Sequence, residues 1–237
     1  MDSTKWSHFW TNQTGAFDTV MKISTSFFAQ EIQNKFNLKT THAILDYGCG
    51  PGFLADSLDP VNVKMTGVDI NAQYITQNKN NHPRSTFHHI SPDVDTTTEI
   101  LGKHLKGEKF DFIILLSITQ YFEDETEIQN IIKMLYPFLK DNGKLIIADV
   151  IDPNSSSMQD ALSLLIQCIK RKQLTAFLKF ISYLLFSDYR KLSKDVKLLK
   201  LSENLIKQIA GGLNLDYNKV NGLTLHRSRT NYVLTKK

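Results

Sequence analysis

Cysteine is nearly absent from this sequence; Cys49 and Cys168 are its two thiols. Neither has a Cys or His partner at metal-ligand spacing, so a disulfide framework and a zinc site are both excluded, and reduced cysteines in a cytoplasm are expected. The opening MDSTKWSHFW carries an acid and lacks the basic start and apolar stretch of a secretory signal, so no export address is read there. Nor is there an uninterrupted apolar run. The longest candidate, ALSLLIQCIKRKQLTAFLKFISYLLF, contains Lys170, Arg171, Lys172 and Lys179, too many charges for a bilayer span. No internal repeat or low-complexity tract marks a linker between independent domains. With 237 residues, 41% of them hydrophobic and 22% charged, a soluble chain with one substantial domain and an elaboration is expected.

What is present is unevenly distributed. From Lys170 to Lys200 there are nine Lys or Arg against Asp188 and Asp195, a balance of +7 in a chain whose total is +4, so the remainder is near −3. Five short apolar runs, AILDYGC, VKMTGVDI, STFHHI, FDFIILLSI and GKLIIADVI, are separated by helix-like or loop stretches. Strands alternating with helices predict an α/β fold whose mostly parallel sheet is covered on both faces. FDFIILLSI is nearly uniformly apolar, as a central parallel strand is. TEIQNIIKMLYPFLKDNG reads as an amphipathic helix with Ile128, Ile131, Ile132 and Leu135 on one face and the DNG turn as its stop. The stretch from SSSMQDALSLL to about Leu201 is helical and basic, after which LNLDYNKVNGLTL and RTNYVLTK return to β-like alternation.

The chemistry concentrates in ILDYGCGPGFL, where Gly48, Gly50 and Gly52 follow the first strand. Alternate glycines there let a ligand approach bare backbone in a tight strand-to-helix turn. The spacing is GxGxG, and Phe53 stands where the nicotinamide fingerprint has its last glycine; no Lys-Ser or Lys-Thr follows, so a P-loop is excluded. Asp46 precedes the first glycine by two residues and Asp69 ends the second strand, twenty-one residues after Gly48. An acid at the second position accepts ribose hydroxyls or, more blandly, caps a helix. An acid inside the first turn repels phosphate and favours a cationic group.

With these residues in view, ILDYGCGPGFLA together with GVDIN resembles motifs I and II of the class I S-adenosylmethionine-dependent methyltransferases of the small-molecule type. The resemblance covers roughly Ala43 to Ile151, with a C-terminal hairpin from about Leu215. It implies a Rossmann-like seven-stranded sheet with helices on both faces, and S-adenosyl-L-methionine as cofactor. It further implies that Gly48, Gly50 and Gly52 meet the methionine part with Cys49 beside them, and that Asp46 orients the amino group. Asp69 would hold the ribose, Ile70 would lie against the adenine, and Ser117 with the residues to Gln120 would border the methyl end. The family's Gly-Asp pair after the third strand is replaced by Ile90 and Ser91, which leaves Ser91, or Asp93 reaching back, for the adenine amine. The whole chain is read as one domain: residues 1–40 a helical lid, 41–152 the cofactor core, 153–212 a helical cap, 213–237 the terminal hairpin.

Methyl transfer from a sulfonium needs alignment and exclusion of water more than catalytic groups, so the acceptor leaves a weaker imprint than the donor. In such sheets the crevice lies beyond the carboxyl ends of the strands, which nominates Tyr121, Asp149, Asp152 and His226 as acceptor-side candidates. Each also has an ordinary reading as packing, cap or turn residue. His88 and His89 are adjacent on a strand and point to opposite faces, so no metal site is expected. Strand four has SITQ in place of the Asn-Pro-Pro-aromatic signature, and no Pro-Cys nucleophile is present, which points away from nucleic acid. Leu162, Leu165, Ile166 and Ile169, then Phe177, Phe180, Ile181, Leu184 and Leu185, form helical stripes read either as core or as the greasy inner wall of a cap, which Trp6, Phe9 and Trp10 would help to close. The Lys170–Lys200 charge is read either as a solvated face or as a dock for an acidic carrier protein or an anionic membrane bringing a hydrophobic acceptor. A nicotinamide oxidoreductase and a non-catalytic cofactor-binding module are the alternatives to an O- or C-methyltransferase.

Overall fold

Strand β4 (Phe110–Leu116) explains its own composition. Its side chains alternate between two apolar layers, with Phe110, Ile113 and Leu115 on one and Phe112, Ile114 and Leu116 on the other. A strand buried on both faces has no solvent side to carry polar residues, hence the continuous apolar run. The step at Asp111 is where its register against the neighbouring strand jumps, and Asp111 itself accepts from the Ala43 backbone N–H and from Lys140.

The computed structural model of the chain describes residues 8–11, 18–155, 157–170, 172, 175, 178, 182 and 197–237. After helix α1 (Asp18–Phe36), strands and helices alternate: β1 (Ala43–Tyr47), α2 (Phe53–Leu58), β2 (Lys64–Asp69), α3 (Ala72–Asn81), β3 (Thr86–His89), α4 (Val94–His104), β4, α5 (Glu125–Leu135) and β5 (Leu139–Ile151). Helix α6 (Ser157–Lys170) follows, then α7 (Glu203–Gly212) and the antiparallel pair β6 (Leu215–Lys219) and β7 (Arg229–Lys236). The seven strands lie in the order β3-β2-β1-β4-β5-β7-β6, parallel except for β7, which runs against both its neighbours. Winding reverses between β1 and β4, and a crevice opens beyond their carboxyl ends at that switch point.

Three sequence expectations change. Helix α5 stops at Leu135, six residues before the DNG turn, because Pro137 lacks an N–H and takes the chain into a short 3-10 turn. Asp141-Asn142-Gly143 instead lies within β5 as an irregularity, with Asn142 at φ 61°. Helix α7 lies in the main core through Leu205, Ile206, Ile209 and Ala210, packing on the sheet and not over the crevice. The stripe on α6 is also turned the other way: Leu164 and Cys168 pack inward on Val20, Ile23 and Leu225, whereas Leu162, Ile166 and Ile169 are exposed. Phe177, Phe180, Ile181, Leu184, Leu185 and Trp6 lie outside the described residues.

Candidate active site

A cavity of about 510 Å³ fills the crevice. Its floor is the glycine turn. The N–H groups of Gly48 and Cys49 both donate to the Val68 carbonyl, at 2.8 and 3.0 Å, which bends the chain away from β1. Gly48 (φ 80°) and Gly50 (φ 51°) hold left-handed backbone, and a Cβ on Gly48 would stand 2.8 Å from Ile118 Cγ2. Residue 48 therefore needs glycine both for its φ and because the tip of β4 packs directly on it. Gly52, the N-cap of α2, lies outside the cavity wall; a Cβ there would meet Asn78 Oδ1 at 2.5 Å, so its role is close packing of α2 on α3. Asn78 clamps the turn from behind, donating from Nδ2 to the Gly50 carbonyl at 2.9 Å with Cys49 Sγ 3.7 Å away. Cys49 is buried against this clamp, and burial raises its thiol well above the usual range, which makes it a filler and not a nucleophile.

Two buried carboxyls face each other across the turn. Asp69 Oδ2 accepts from Gly50 N–H at 2.8 Å and Oδ1 from Asn71 N–H at 2.8 Å; burial still holds its pKa above 3.8 against these donors. Asp46, on the last turn-facing position of β1, is 3% exposed and has no hydrogen-bond donor among the described residues. Burial, then the nearby Asp69 charge, pushes its pKa up to about 7. An unbonded buried carboxyl beside a turn whose amides already donate to Val68 and Asp69 is complementary to an ammonium group and repels phosphate.

The rim beyond β2 and β3 supplies Ile70, Tyr74, Ile90, Ser91 and Pro92. Ser91 Oγ accepts from the Asp93 backbone N–H, while Asp93 caps α4 through Thr96. The Asp93 carboxylate, whose bonds to Thr96 lower its pKa, is thereby committed to the cap and does not line the cavity; of the two adenine-side candidates, Ser91 does. His88 stacks on His104 with centroids 4.5 Å apart, while His89 Nε2 lies 3.0 Å from the Ile70 carbonyl oxygen, so the two rings go to different neighbours.

The opposite wall is assembled from distant segments. Ser117 (φ 55°) and Asp149 (φ 64°), at the tips of β4 and β5, both hold left-handed backbone without being glycine, and Ser117 Oγ donates to Asp149 Oδ2 at 2.7 Å. Such strain, of order 1–3 kcal/mol per residue, persists only where surroundings enforce it. Here Asn231 does so: the β5–β7 register jumps between Ile147 and Val150, and in that bulge Asp149 N–H donates to Asn231 Oδ1 at 3.0 Å. Asp149 Oδ1 is buried with no hydrogen-bond partner among the described residues. Gln120 Nε2 donates to the Ser117 carbonyl at 2.6 Å, fixing the turn after β4. Tyr121 follows on that turn, and His226 reaches the same wall from the β6–β7 loop. Asp152 lies instead in a separate polar groove with Glu203 and Lys219.

Several lining residues carry no motif. Met21, Ser24 and Thr25 come from α1, Glu127 and Ile131 from α5, Leu164 from α6 and Arg229 from β7. Trp10 closes the top, edge-on to Tyr121 with centroids 5.0 Å apart, and its carbonyl accepts from Asn71 Nδ2 at 2.8 Å. Trp10 thus lines the cavity as expected for WSHFW, whereas Asn71 has its signal only as the N-cap of α3 in GVDIN and Leu164 only its apolar character.

The fold has solved counterparts. Magnesium protoporphyrin IX methyltransferase from Synechocystis PCC 6803, crystallised with bound SAM, matches with a TM-score of 0.61 at 13% identity, covering 100% of this chain and 98% of that one. N-methyltransferase NodS from Bradyrhizobium japonicum WM9, in complex with S-adenosyl-l-homocysteine, matches with a TM-score of 0.52 at 14% identity over 88% and 85% of the two chains. By sequence, a ubiquinone biosynthesis O-methyltransferase of Rickettsia bellii is 25% identical over 146 residues, 56% of this chain and 55% of the relative. Its counterpart from Glaesserella parasuis is 26% identical over 148 residues, 62% of this chain and 61% of the relative. The chain thus matches little more than half the length of these curated relatives. The profile described as "Methyltransferase domain" matches residues 18–192, about three-quarters of the chain and the whole glycine-turn half of the cavity, and so this chain belongs to the methyltransferase-domain family.

Proposed function

We propose that this protein transfers a methyl group from S-adenosylmethionine to an oxygen of a hydrophobic small molecule. The observation that carries the donor assignment is Asp46: a buried carboxyl with no hydrogen-bond donor among the described residues, beside the left-handed Gly48 and Gly50, suits an ammonium and no phosphate. Asp69 and Ile70 then take the ribose and adenine, with Ser91 toward the adenine amine and Gln120 toward the methyl end. When bound, S-adenosylmethionine supplies a methyl group on a positively charged sulfur. The chain's own part is alignment and dryness. Met21, Leu164 and Trp10 exclude water, and Tyr121 and His226 border the acceptor space. Asp149, which lines the cavity while Ser117 Oγ holds its Oδ2, is the general base that takes the acceptor's hydroxyl proton. Oxygen is favoured over carbon as acceptor because a carboxylate suits a phenol-like proton, and because the curated relatives are named O-methyltransferases.

Calorimetric titration with S-adenosylmethionine and with NADH tests the donor, binding being expected for the first alone. Radiolabelled methyl transfer to catechol-like and carboxylate acceptors of increasing chain length tests the acceptor. Tight cofactor binding with no transfer to any acceptor would favour a non-catalytic binding module.

A further inference from the structure

Helix α6 presents two different faces. Its inner face, through Leu164, forms part of the cavity wall, and Leu164 and Cys168 pack on α1. On the outer face Leu162, Ile166 and Ile169 are 56%, 40% and 56% exposed, at the i, i+4, i+7 spacing that gives one continuous stripe. Large aliphatic side chains left this open in a row are not required by the fold, since the helix is already anchored by its other side. Cationic residues adjoin the stripe: Lys170 ends the helix, and Lys172, also exposed, follows in a turn closed by its N–H on the Ile169 carbonyl at 3.0 Å. They open the segment whose sequence balance is +7.

We infer that α6 is an interfacial helix that seats the enzyme on an anionic lipid bilayer, with Leu162, Ile166 and Ile169 entering the acyl boundary and Lys170 and Lys172 meeting the headgroups. An apolar stripe bordered by Lys and Arg is the composition of a helix lying in the membrane plane. At 14 residues α6 is about 21 Å long, too short to span, and no helix among the described residues is long and apolar enough to cross a membrane. An acidic protein surface would satisfy the lysines but leave the aliphatic stripe unmatched, so the bilayer accounts for both halves. The inference rests on the proposed hydrophobic acceptor, because α6 would then separate the lipid that carries the acceptor from the cavity that receives it.

Co-sedimentation of the full chain with phosphatidylcholine vesicles, with and without roughly one-third phosphatidylglycerol, tests the dock. Binding is expected to the anionic vesicles only, weakening steeply with salt, and falling roughly tenfold or more in the L162Q/I166Q/I169Q variant and in K170E/K172E. Both variants change exposed side chains, and S-adenosylmethionine titration of each checks that the cavity is intact. Equal binding to neutral vesicles, no binding at all, or unchanged binding by the triple variant overturns the inference. So does a wild-type dimer that the triple variant converts to monomer, or capture of an acidic carrier protein that anionic vesicles do not displace. Loss of docking with methyl transfer to a soluble acceptor preserved separates this inference from the function it builds on.

Discussion

The two halves of the cavity are built by opposite means. The proposed donor half is local: Asp46, Gly48, Gly50, Asp69 and Ile70 lie on two consecutive strands or directly after them, and it presents a left-handed glycine turn and two buried carboxyls. The proposed acceptor half draws Trp10, Ser117, Tyr121, Asp149, Leu164 and His226 from across the chain. Its central pair is held by Asn231, 82 residues from Asp149. One half is a turn that folds on itself, and the other exists only once β7 has been laid against β5. On the proposed function, local geometry recognises a fixed cofactor, while long-range assembly leaves the acceptor free to vary.

That contrast has measurable consequences. The largest is expected at Asp149: Asp149→Asn keeps the shape but removes the base, lowering kcat roughly 10²- to 10⁴-fold with the Kd for S-adenosylmethionine nearly unchanged. A comparable loss of donor affinity would break the division between the halves. Next, Gly48→Ala places a Cβ 2.8 Å from Ile118 Cγ2 at φ 80°, and donor affinity should fall roughly 100-fold. Gly107→Ala has nearly the same φ, 78°, but open space around it, so its effect should be confined to a stability loss of about 1–2 kcal/mol, read by thermal melting.

Asp46→Asn should weaken the donor roughly tenfold or more at pH 8 and remove a pH dependence present in the wild type. The Asp46 carboxyl, raised to about 7, must ionise to meet an ammonium, so wild-type affinity should decline as pH falls below about 7, and on the alkaline side only where the ligand's own ammonium deprotonates. For folding of the ligand-free protein the sign is reversed. Between 3.8 and about 7 the native state holds a proton that the unfolded chain has lost, so stability falls as pH rises through that window. Titrations at several pH values in buffers of different ionisation heat check the proton release. The smallest change is expected from Ser91→Ala, a few-fold in donor Kd, because one hydroxyl to a neutral adenine edge contributes about 1 kcal/mol.

How much of this was legible follows the same line. The strands and the glycine turn declare themselves because their constraints are local: a strand buried on both faces must be apolar, and a left-handed turn against Ile118 must be glycine. Cofactor candidates before the third strand's end could thus be named with their neighbours. Asn78 and Asn231 were invisible, since an asparagine that clamps a turn or a bulge looks like any surface asparagine until its partners are in place. The stripe on α6 illustrates the limit most plainly. Periodicity shows that a helix has an apolar row, but not which row faces the core when Leu164 and Cys168 offer another.

The sequence by itself determined the layered α/β architecture, the glycine turn and the pair of acids that exclude a phosphate ligand, because these depend on residues a few positions apart. Only the tertiary structure decided that Asp149 and Ser117 are strained partners, that Gly52 packs helices and lies outside the cavity, and that α6 turns its aliphatic stripe outward. Each of those depends on which distant surface arrives first at a side chain, and chain order does not encode that distance.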